Sequence, residues 1–350
     1  MDTLPITTSP SPLRILVVRN DKLGDFMLAW PALALLKKSL PDAIITVLVP
    51  AYTSELAAAC PWVDQVLLDP QDLSQLTKAH IDIVLTLFST GRIGWQVFKG
   101  RIPRRIAPAT KWVQILYNQC LTQRRSRSEK PEYLYNLELA QFLLKNLGIN
   151  PQTVSAPYWP LPLHKRSEQR QLLATQLGLD VHQPWLFVHP GSGGSAVNIS
   201  LDQFASLMEH VQKHYDAFNI PIQWVITAGP GEEAQAITLG EKLPAEVKAF
   251  NYVSHSGLLA FAHSLVAADV FIAGSTGPLH IAGALDVPTV GFFPTKRSAT
   301  ALRWRPCNSE NRTLAFSPPE AAASDMSQIN MLQAADTLVT WLRTYHLINN

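Results

Sequence analysis

Residues 269–294, DVFIAGSTGPLHIAGALDVPTVGFFP, leave few choices of fold. An apolar run ends in Gly274-Ser275-Thr276-Gly277-Pro278, a short helix-forming segment follows, and Pro288 opens a second apolar run. That order is strand, small-residue turn, helix, strand, the repeating unit of a parallel sheet. The turn has no bulky side chain, so its backbone N–H groups can come close to a ligand. Pro278 suits the first turn of a helix, because its missing N–H would have had no partner there. An anion in the turn would face the positive end of that helix. His280, just inside the helix, could add a donor. The same residues also suit a tight connection that binds nothing.

The alternation extends over the chain. RILVVR (Arg14 to Arg19) is a β-branched strand, followed by the turn Asn20 to Asp25 and a helix from Phe26 to Leu40, which Pro31 should kink or restart. Asp25 stands where an N-cap belongs. It would also place a carboxylate at the C-terminal edge of a parallel strand, where open α/β sheets bind ligands. Strands at 44–49, 63–68 and 81–88 alternate with helices at 53–60 and 72–80. An amphipathic helix spans Glu132 to Leu147, with Gly148 behind it as a C-cap. Four prolines between Asn150 and Leu163 mark a linker. The second half repeats the pattern, with strands at 185–189, 223–227 and 247–252 and helices at 166–177, 201–215, from Glu232, and 256–267. A proline-rich irregular segment runs from Pro294 to Asp325, and a last helix spans Asn330 to His346. The expected division is a disordered leader at 1–13, a first domain at 14–150, a linker at 151–163, a second domain at 164–327, and a terminal helix at 328–350 that could return to the first domain.

Composition excludes several classes. The chain has 350 residues, enough for two domains, and 47% are hydrophobic, enough for two cores. A net charge of +2 gives no global sign of a nucleic-acid protein. The N-terminus MDTLPITTSPSP lacks the basic start and apolar core of a signal peptide. Three scattered cysteines suit neither a disulfide framework nor a zinc site, so a reducing cytoplasm is expected. One stretch is unlike the rest: Gly91 to Lys130 carries ten Lys and Arg against the single acid Glu129, with Trp95, Phe98, Trp112 and Tyr117 interleaved. It could meet an anionic acceptor or an anionic membrane surface, or be an ordinary solvated region. No recognition motif for nucleic acid accompanies it.

The turn Gly191-Ser192-Gly193-Gly194-Ser195 follows a strand and resembles a phosphate loop, yet it lacks the Gly-Lys-Ser/Thr of a P-loop and the triple glycine of a dinucleotide fingerprint. Small residues before a helix still form an anion nest. Two such turns, at Gly191 and Gly274, would lie along one sheet edge and could hold one pyrophosphate between them. Glu232 and Glu233 begin a helix, where acids offset its dipole; one of them could accept hydrogen bonds from ribose. No Asp-x-Asp pair occurs, so a metal held by that motif is not expected.

With these residues in view, the chain resembles the heptosyltransferase-type glycosyltransferases of family 9. The resemblance rests on RILVVRNDKLGDFMLAWPALALLKKSLPDA, HPGSGGSAVNISLDQF, TAGPGEEA and AGSTGPLHIAGALDVPTVGFF, in that order. It implies a GT-B fold: two Rossmann-like α/β domains with parallel sheets facing a central cleft, the acceptor on the first and the nucleotide-sugar on the second. It implies inverting transfer without a metal, and no cofactor beyond the nucleotide-sugar as co-substrate. Asp25 would be the general base. Ser192, Gly193, Gly194, Ser195, Asn198, Ser275, Thr276, Gly277 and His280 would form the donor site, with Glu232 or Glu233 at the ribose. Lys22, Arg92 and Arg101 would meet an anionic lipid-linked or glycan acceptor, such as a lipopolysaccharide core, with peripheral contact at the inner membrane surface and no nucleic-acid partner.

Two positions depart from the family pattern. Val197 stands where a Lys often neutralises the leaving diphosphate, and Ser275 where an Asp often contacts the donor sugar. Lys22, Lys296, Arg297 or Arg303 could supply the missing cation. The alternatives are a catalytically inactive nucleotide-binding member, or a nucleotide-sugar hydrolase or epimerase of GT-B-like fold.

Overall fold

The computed structural model describes residues 11–77, 80–109, 112–194 and 197–345. The first half of the chain runs β1 (Arg14–Val18), α1 (Leu23–Met27), α2 (Trp30–Ser39), β2 (Ile44–Pro50), α3 (Ser54–Ala59), β3 (Gln65–Asp69), β4 (Ile83–Thr86), α4 (Gly91–Lys99), β5 (Arg104–Pro108), β6 (Gln119–Leu121) and α5 (Glu132–Asn146). The second half runs α6 (His164–Leu177), β7 (Trp185–His189), α7 (Leu201–Ala217), β8 (Gln223–Ala228), α8 (Glu233–Glu241), β9 (Ala249–Val253), α9 (Gly257–Ser264), β10 (Val270–Gly274), α10 (Gly277–Ala284), β11 (Thr289–Phe292), β12 (Thr313–Phe316) and α11 (Met331–Thr344).

Two parallel six-stranded sheets result, ordered β3-β2-β1-β4-β5-β6 and β12-β11-β10-β7-β8-β9. Numbered within its own half, each sheet has the order 3-2-1-4-5-6 of a doubly wound nucleotide-binding fold. The order reverses between β1 and β4 in the first sheet and between β7 and β10 in the second, and the crevice for a ligand opens there, beyond the strands' C-terminal ends. Central strands such as β7 (WLFVH) and β10 (VFIAG) are buried along their whole length, as helices on both faces require.

Contacts divide the chain into two units. One holds residues up to 20, 33–122 and 139–153; the other holds 21–32, 123–138 and 154–350. This differs from the linear division expected from the sequence, because two segments of the first half join the second unit. Segment 21–32 joins through α1, which packs on α10. Segment 123–138 joins through Glu132, whose side chain is held by Arg125 and Arg303 and whose N–H donates to the Arg303 carbonyl (2.9 Å). The boundary at 153–154 falls inside the proline-rich linker, where Trp159 is fixed to the second unit by its N–H to the Ala284 carbonyl (2.8 Å).

The terminal helix also settles differently from expectation. α11 packs on α7, and its Ala335, Leu338, Val339 and Leu342 share a core with Phe204, Leu207, Met208 and Val211 of the second unit. Its apolar face is covered within that unit. Pro31 does restart the helix: α1 ends at Met27 and α2 begins at Trp30. The helix expected at 72–80 is a short 3-10 turn at Leu73–Thr77, and residues 78 and 79 lie outside the described residues. Three strands were not expected. β5 and β6 lie inside the basic stretch, and β12 inside the irregular segment after Pro294. Among the described residues no helix is long and apolar enough to cross a membrane.

Candidate active site

The second sheet brings the two small-residue turns side by side. β7 and β10 pair in parallel with His189 opposite Ala273, so the turns after them flank the switch point. Two side chains stitch the turns together. The Asn198 Nδ2 donates to the Pro190 carbonyl (2.9 Å), and its amide lies across Gly274, where a Cβ would meet Oδ1 at 2.5 Å. Glu232 does the same between β7 and β8: Oε1 accepts from the Gly193 N–H (2.8 Å) and Oε2 from the Gly229 N–H (3.1 Å). A Cβ on Gly191 would fall inside the Glu232 carboxylate, so this approach needs glycine.

Glu232 also lies 3.4 Å from the His189 Nε2, and the His189 Nδ1 is 3.0 Å from the Thr227 hydroxyl. The His189 contact, helped by the two backbone N–H groups, outweighs desolvation and holds the Glu232 carboxyl down at about 2. The anion nest expected for a ligand thus carries an internal carboxylate on the Gly193 N–H. Glu232, one of the two ribose candidates, here spends both oxygens on loop backbone, while Glu233 stands half-buried in the first turn of α8.

The turn after β10 is built differently. Thr276 is the N-cap of α10, with extended backbone, but its hydroxyl does not cap the helix. The Thr276 Oγ1 is buried and finds no partner among the described residues. Such a group costs about 1–3 kcal/mol until something bonds to it, and this hydroxyl lies at the positive end of the helix. Ser275 and Gly277 beside it are half-buried.

α1 lies directly on this helix. Gly24 sits against the His280 ring, with a would-be Cβ 2.7 Å from Cδ2, and Gly277 sits against Leu23, with a would-be Cβ 2.6 Å from Cδ2. A glycine on each helix allows the close approach. Asp25, the next residue of α1, therefore belongs to the same unit as the turns. It is in the first turn of α1, whose N-cap is Lys22, and is not itself the cap. His280 is buried, and desolvation lowers its pKa to about 4, so it is neutral at pH 7. Its Nδ1 has no partner among the described residues. Ser192 is half-buried and Gly194 exposed in the turn after β7; Ser195 lies outside the described residues.

Of the four candidate cations, Arg303 is committed elsewhere. Its guanidinium pairs with the buried Glu132 and lies over the Tyr135 ring at 4.9 Å. Lys22 precedes the α1–α10 contact, and Lys296 and Arg297 are exposed after β11. Among the described residues no group of three or more His, Cys, Asp or Glu is arranged to hold a metal ion.

Of the expected acceptor residues, Arg92 and Arg101 stand at opposite ends of α4. Lys22 belongs to the second unit; Arg92 and Arg101 belong to the first. Arg92 opens α4 at the C-terminal edge of the first sheet and forms a two-pronged pair with Asp69 (2.5 and 2.6 Å) at the end of β3. The Asn20 Nδ2 donates to the same carboxylate (2.6 Å), and the Arg92 guanidinium foremost holds the Asp69 pKa below its ordinary value. Arg101 follows the other end of α4, just before β5, at the opposite edge of the sheet. Sequence reasoning missed Asn20, Asp69 and His189. Each follows or ends an apolar strand run, and that position is the only signal that could have found them.

Comparison with known proteins agrees with this architecture. Residues 119–332 match the family model described as Glycosyltransferase family 9 (heptosyltransferase). A Haemophilus influenzae protein that carries the provisional name glycosyltransferase is 44% identical over 323 residues, covering 90% of this chain and 92% of its own. Among solved structures, a family 9 glycosyl transferase from Veillonella parvula matches with a TM-score of 0.75 at 16% identity, covering 96% of this chain and 99% of its own. The E. coli ADP-heptose lipopolysaccharide heptosyltransferase II matches with a TM-score of 0.73 at 17% identity, covering 95% and 100%. An E. coli heptosyltransferase solved with ADP matches with a TM-score of 0.70 at 16% identity, covering 94% and 100%. The chain belongs to glycosyltransferase family 9, and it is a glycosyltransferase of the GT-B fold class.

Proposed function

We propose that this protein is an inverting, metal-independent transferase that moves heptose or a related sugar from a nucleotide-diphosphate donor to a lipopolysaccharide-core or other cell-surface glycan. An ADP-linked donor is favoured by the likeness to a heptosyltransferase solved with ADP. One observation carries the reading: α1, with Asp25, is packed through Gly24 and Gly277 onto the helix whose N-terminus offers the unpartnered Thr276 hydroxyl. A base and an anion cradle then share one rigid contact. The diphosphate would lie at the N-terminus of α10 against Thr276, with Gly277 and Ser275 close by and the Ser192–Gly194 turn alongside, and Glu233 would meet the ribose. Asp25 would take the proton of the acceptor hydroxyl as its oxygen attacks the anomeric carbon and the bond to the diphosphate breaks. The leaving charge would be met by the helix N-terminus and by Lys22, in place of the lysine that Val197 replaces. No cofactor beyond the nucleotide-sugar is required. The acceptor would be anionic and lipid-linked, bound at the C-terminal edge of the first sheet near Arg92, with the enzyme on the cytoplasmic side of the membrane.

The test is thermal stabilisation by ADP, UDP, GDP and their sugars, followed by transfer assays with the nucleotide-sugar that binds. A ligand at about a hundred times its dissociation constant adds roughly 2.7 kcal/mol to native stability. No shift with any diphosphate sinks the donor site. Transfer that persists unchanged in excess EDTA is the expected result, and loss restored by a divalent ion removes metal independence. A second reading, nucleotide binding without transfer, draws on the Glu232 carboxylate that occupies the Gly193 N–H and on Val197 and Ser275. It predicts a nucleotide shift with no turnover on any glycan extract. Donor breakdown without acceptor would instead indicate a hydrolase.

A further inference from the structure

The first unit exposes an aromatic stripe that the transfer site does not use. On α4, Ile93, Gly94 and Val97 face inward, while Trp95 and Phe98 are 57% and 45% exposed and stack at a centroid distance of 6.1 Å. The segment Trp112–Leu116 lies along the same helix: Val113 and Leu116 pack on Gly94, and the Trp112 ring covers Gly91. Trp112 and Ile115 remain 72% and 75% exposed. Four large apolar side chains therefore stand in water on one flank, where an ordinary surface would carry them singly.

The stripe is bordered by cations. Lys99, Arg101 and Arg104 are exposed at its far end, and the Arg105 guanidinium lies over the Phe98 ring at 5.5 Å. No acidic residue occurs between Asp82 and Glu129. A second copy of this chain would set these cations against one another across a two-fold axis. Indole rings and an aliphatic side chain beside Lys and Arg match the boundary of an anionic bilayer, where aromatic rings sit at headgroup level and cations meet phosphates. The geometry points to this flank, α4 with the 112–116 segment, as the surface by which the protein docks on an anionic lipid bilayer. The stripe starts at the end of α4 that carries Arg92, at the C-terminal edge of the first sheet. Docking there brings the proposed acceptor edge to the membrane. The purpose rests on the proposed lipid-linked acceptor; the binding itself does not.

The full chain is sedimented with vesicles of phosphatidylethanolamine and phosphatidylglycerol, and with phosphatidylcholine vesicles, without nucleotide. Partitioning onto the anionic vesicles only is expected. The double variant Trp95→Ser/Trp112→Ser should partition at least about tenfold more weakly, and Lys99→Gln/Arg104→Gln should lose about fivefold per cation. A cooperative thermal transition at the melting temperature of the unaltered chain shows that each variant is folded. In the unaltered chain, brominated lipids should quench part of the indole emission, since Trp95 and Trp112 are exposed while Trp30, Trp185 and Trp224 are fully buried. Equal partitioning of both variants, equal binding to phosphatidylcholine, or no quenching overturns the docking surface. So does a dimer in light scattering that the Trp variant dissociates, which would assign the flank to a second copy. Vesicle binding without any nucleotide shift would leave this surface standing and remove the donor site.

Discussion

In the second sheet, the loops leaving β7 and β10 are small-residue turns; Glu232 already takes the Gly193 N–H, and what they leave for a ligand is the remaining backbone N–H groups, a helix N-terminus and the Thr276 hydroxyl. In the first sheet, with the same strand order, the corresponding edge presents side chains: Asn20 after β1, Asp69 at the end of β3 and Arg92 at the start of α4. The topology fixes where each crevice opens, and loop composition decides what it can hold. Backbone donors suit a ligand part that never varies, such as a diphosphate. A polar side-chain cluster can be changed residue by residue, as a varying acceptor requires. Asp25 bears on the comparison because it leaves the first sheet by sequence and joins the second unit by packing.

The largest expected effect follows from that placement. Asp25→Asn keeps the shape of α1 and its packing on α10 and removes the negative charge and the proton-accepting oxygen. Transfer should fall about 10²–10⁴-fold, with the nucleotide-induced thermal shift unchanged. Activity that survives intact removes the base assignment. A lost thermal shift would instead mean that Asp25 belongs to the donor cradle, which breaks the division between the two edges.

Stability in acid should reveal how the second edge is built. His280 titrates at about 4 in the folded chain, against 6.5 unperturbed, because burial disfavours its charged form. Its contribution is fully present above pH 6.5 and is lost as pH falls from 6.5 to about 4, by about 3 kcal/mol in all. Glu232 acts in a lower window. Its folded value of about 2 lies below the ordinary 4.5, so its contribution is present above pH 4.5 and is lost as pH falls towards 2. Partial contact with solvent reduces that loss to the order of 2 kcal/mol. His280→Leu should flatten the upper part of the acid limb, and Glu232→Gln the lower part. Denaturant unfolding from pH 8 to 3 separates the two. Identical profiles for all three chains would mean that neither group is held as the structure holds it.

A smaller effect tests the ligand end of α10. Thr276→Val removes a buried hydroxyl that has no partner, so the ligand-free chain should be as stable or more so. Nucleoside-diphosphate affinity should drop about tenfold, the worth of one hydrogen bond to a charged group. If stability falls and affinity holds, the hydroxyl is structural and the cradle lies elsewhere on the edge.

Much of this architecture was legible in the sequence because strands buried on both faces are continuous apolar runs. RILVV and VFIAG identify themselves, and so do the small-residue turns behind them. β5, β6 and β12 were not legible: β6 and β12 lie at sheet edges, and β5 opens with Arg104-Arg105, so none shows a continuous apolar run. At the site, Gly191 and Gly274 were visible as small residues and Glu232 and Asn198 as donor-site candidates, but that these two side chains fill the space the glycines leave was not. Which side chain lies on a glycine depends on contacts between separate turns. For the same reason Asp69 and Arg92, 23 residues apart, gave no sign of pairing. α11 pointed to an apolar partner without saying which, since any apolar stripe would satisfy it.

The smallest expected effect concerns the first edge. The Arg92–Asp69 pair has excellent geometry, but the Arg92 side chain is half exposed, so its solvent-screened contribution to stability should stay below about 1 kcal/mol. Arg92→Ala should therefore leave the melting temperature nearly unchanged. If this edge receives the acceptor, the same variant should raise the acceptor KM by about two- to fivefold and leave the donor KM alone, because the guanidinium fork and the carboxylate it orients would both be lost to the incoming glycan. Asp69→Asn should shift the acceptor KM in the same direction, since it frees Arg92 and Asn20 from a shared partner and loosens both. Initial rates over a grid of donor and acceptor concentrations separate the two constants. A change confined to the donor KM would mean that both crevices serve one ligand, and the contrast between a backbone edge and a side-chain edge would no longer mark a division of labour.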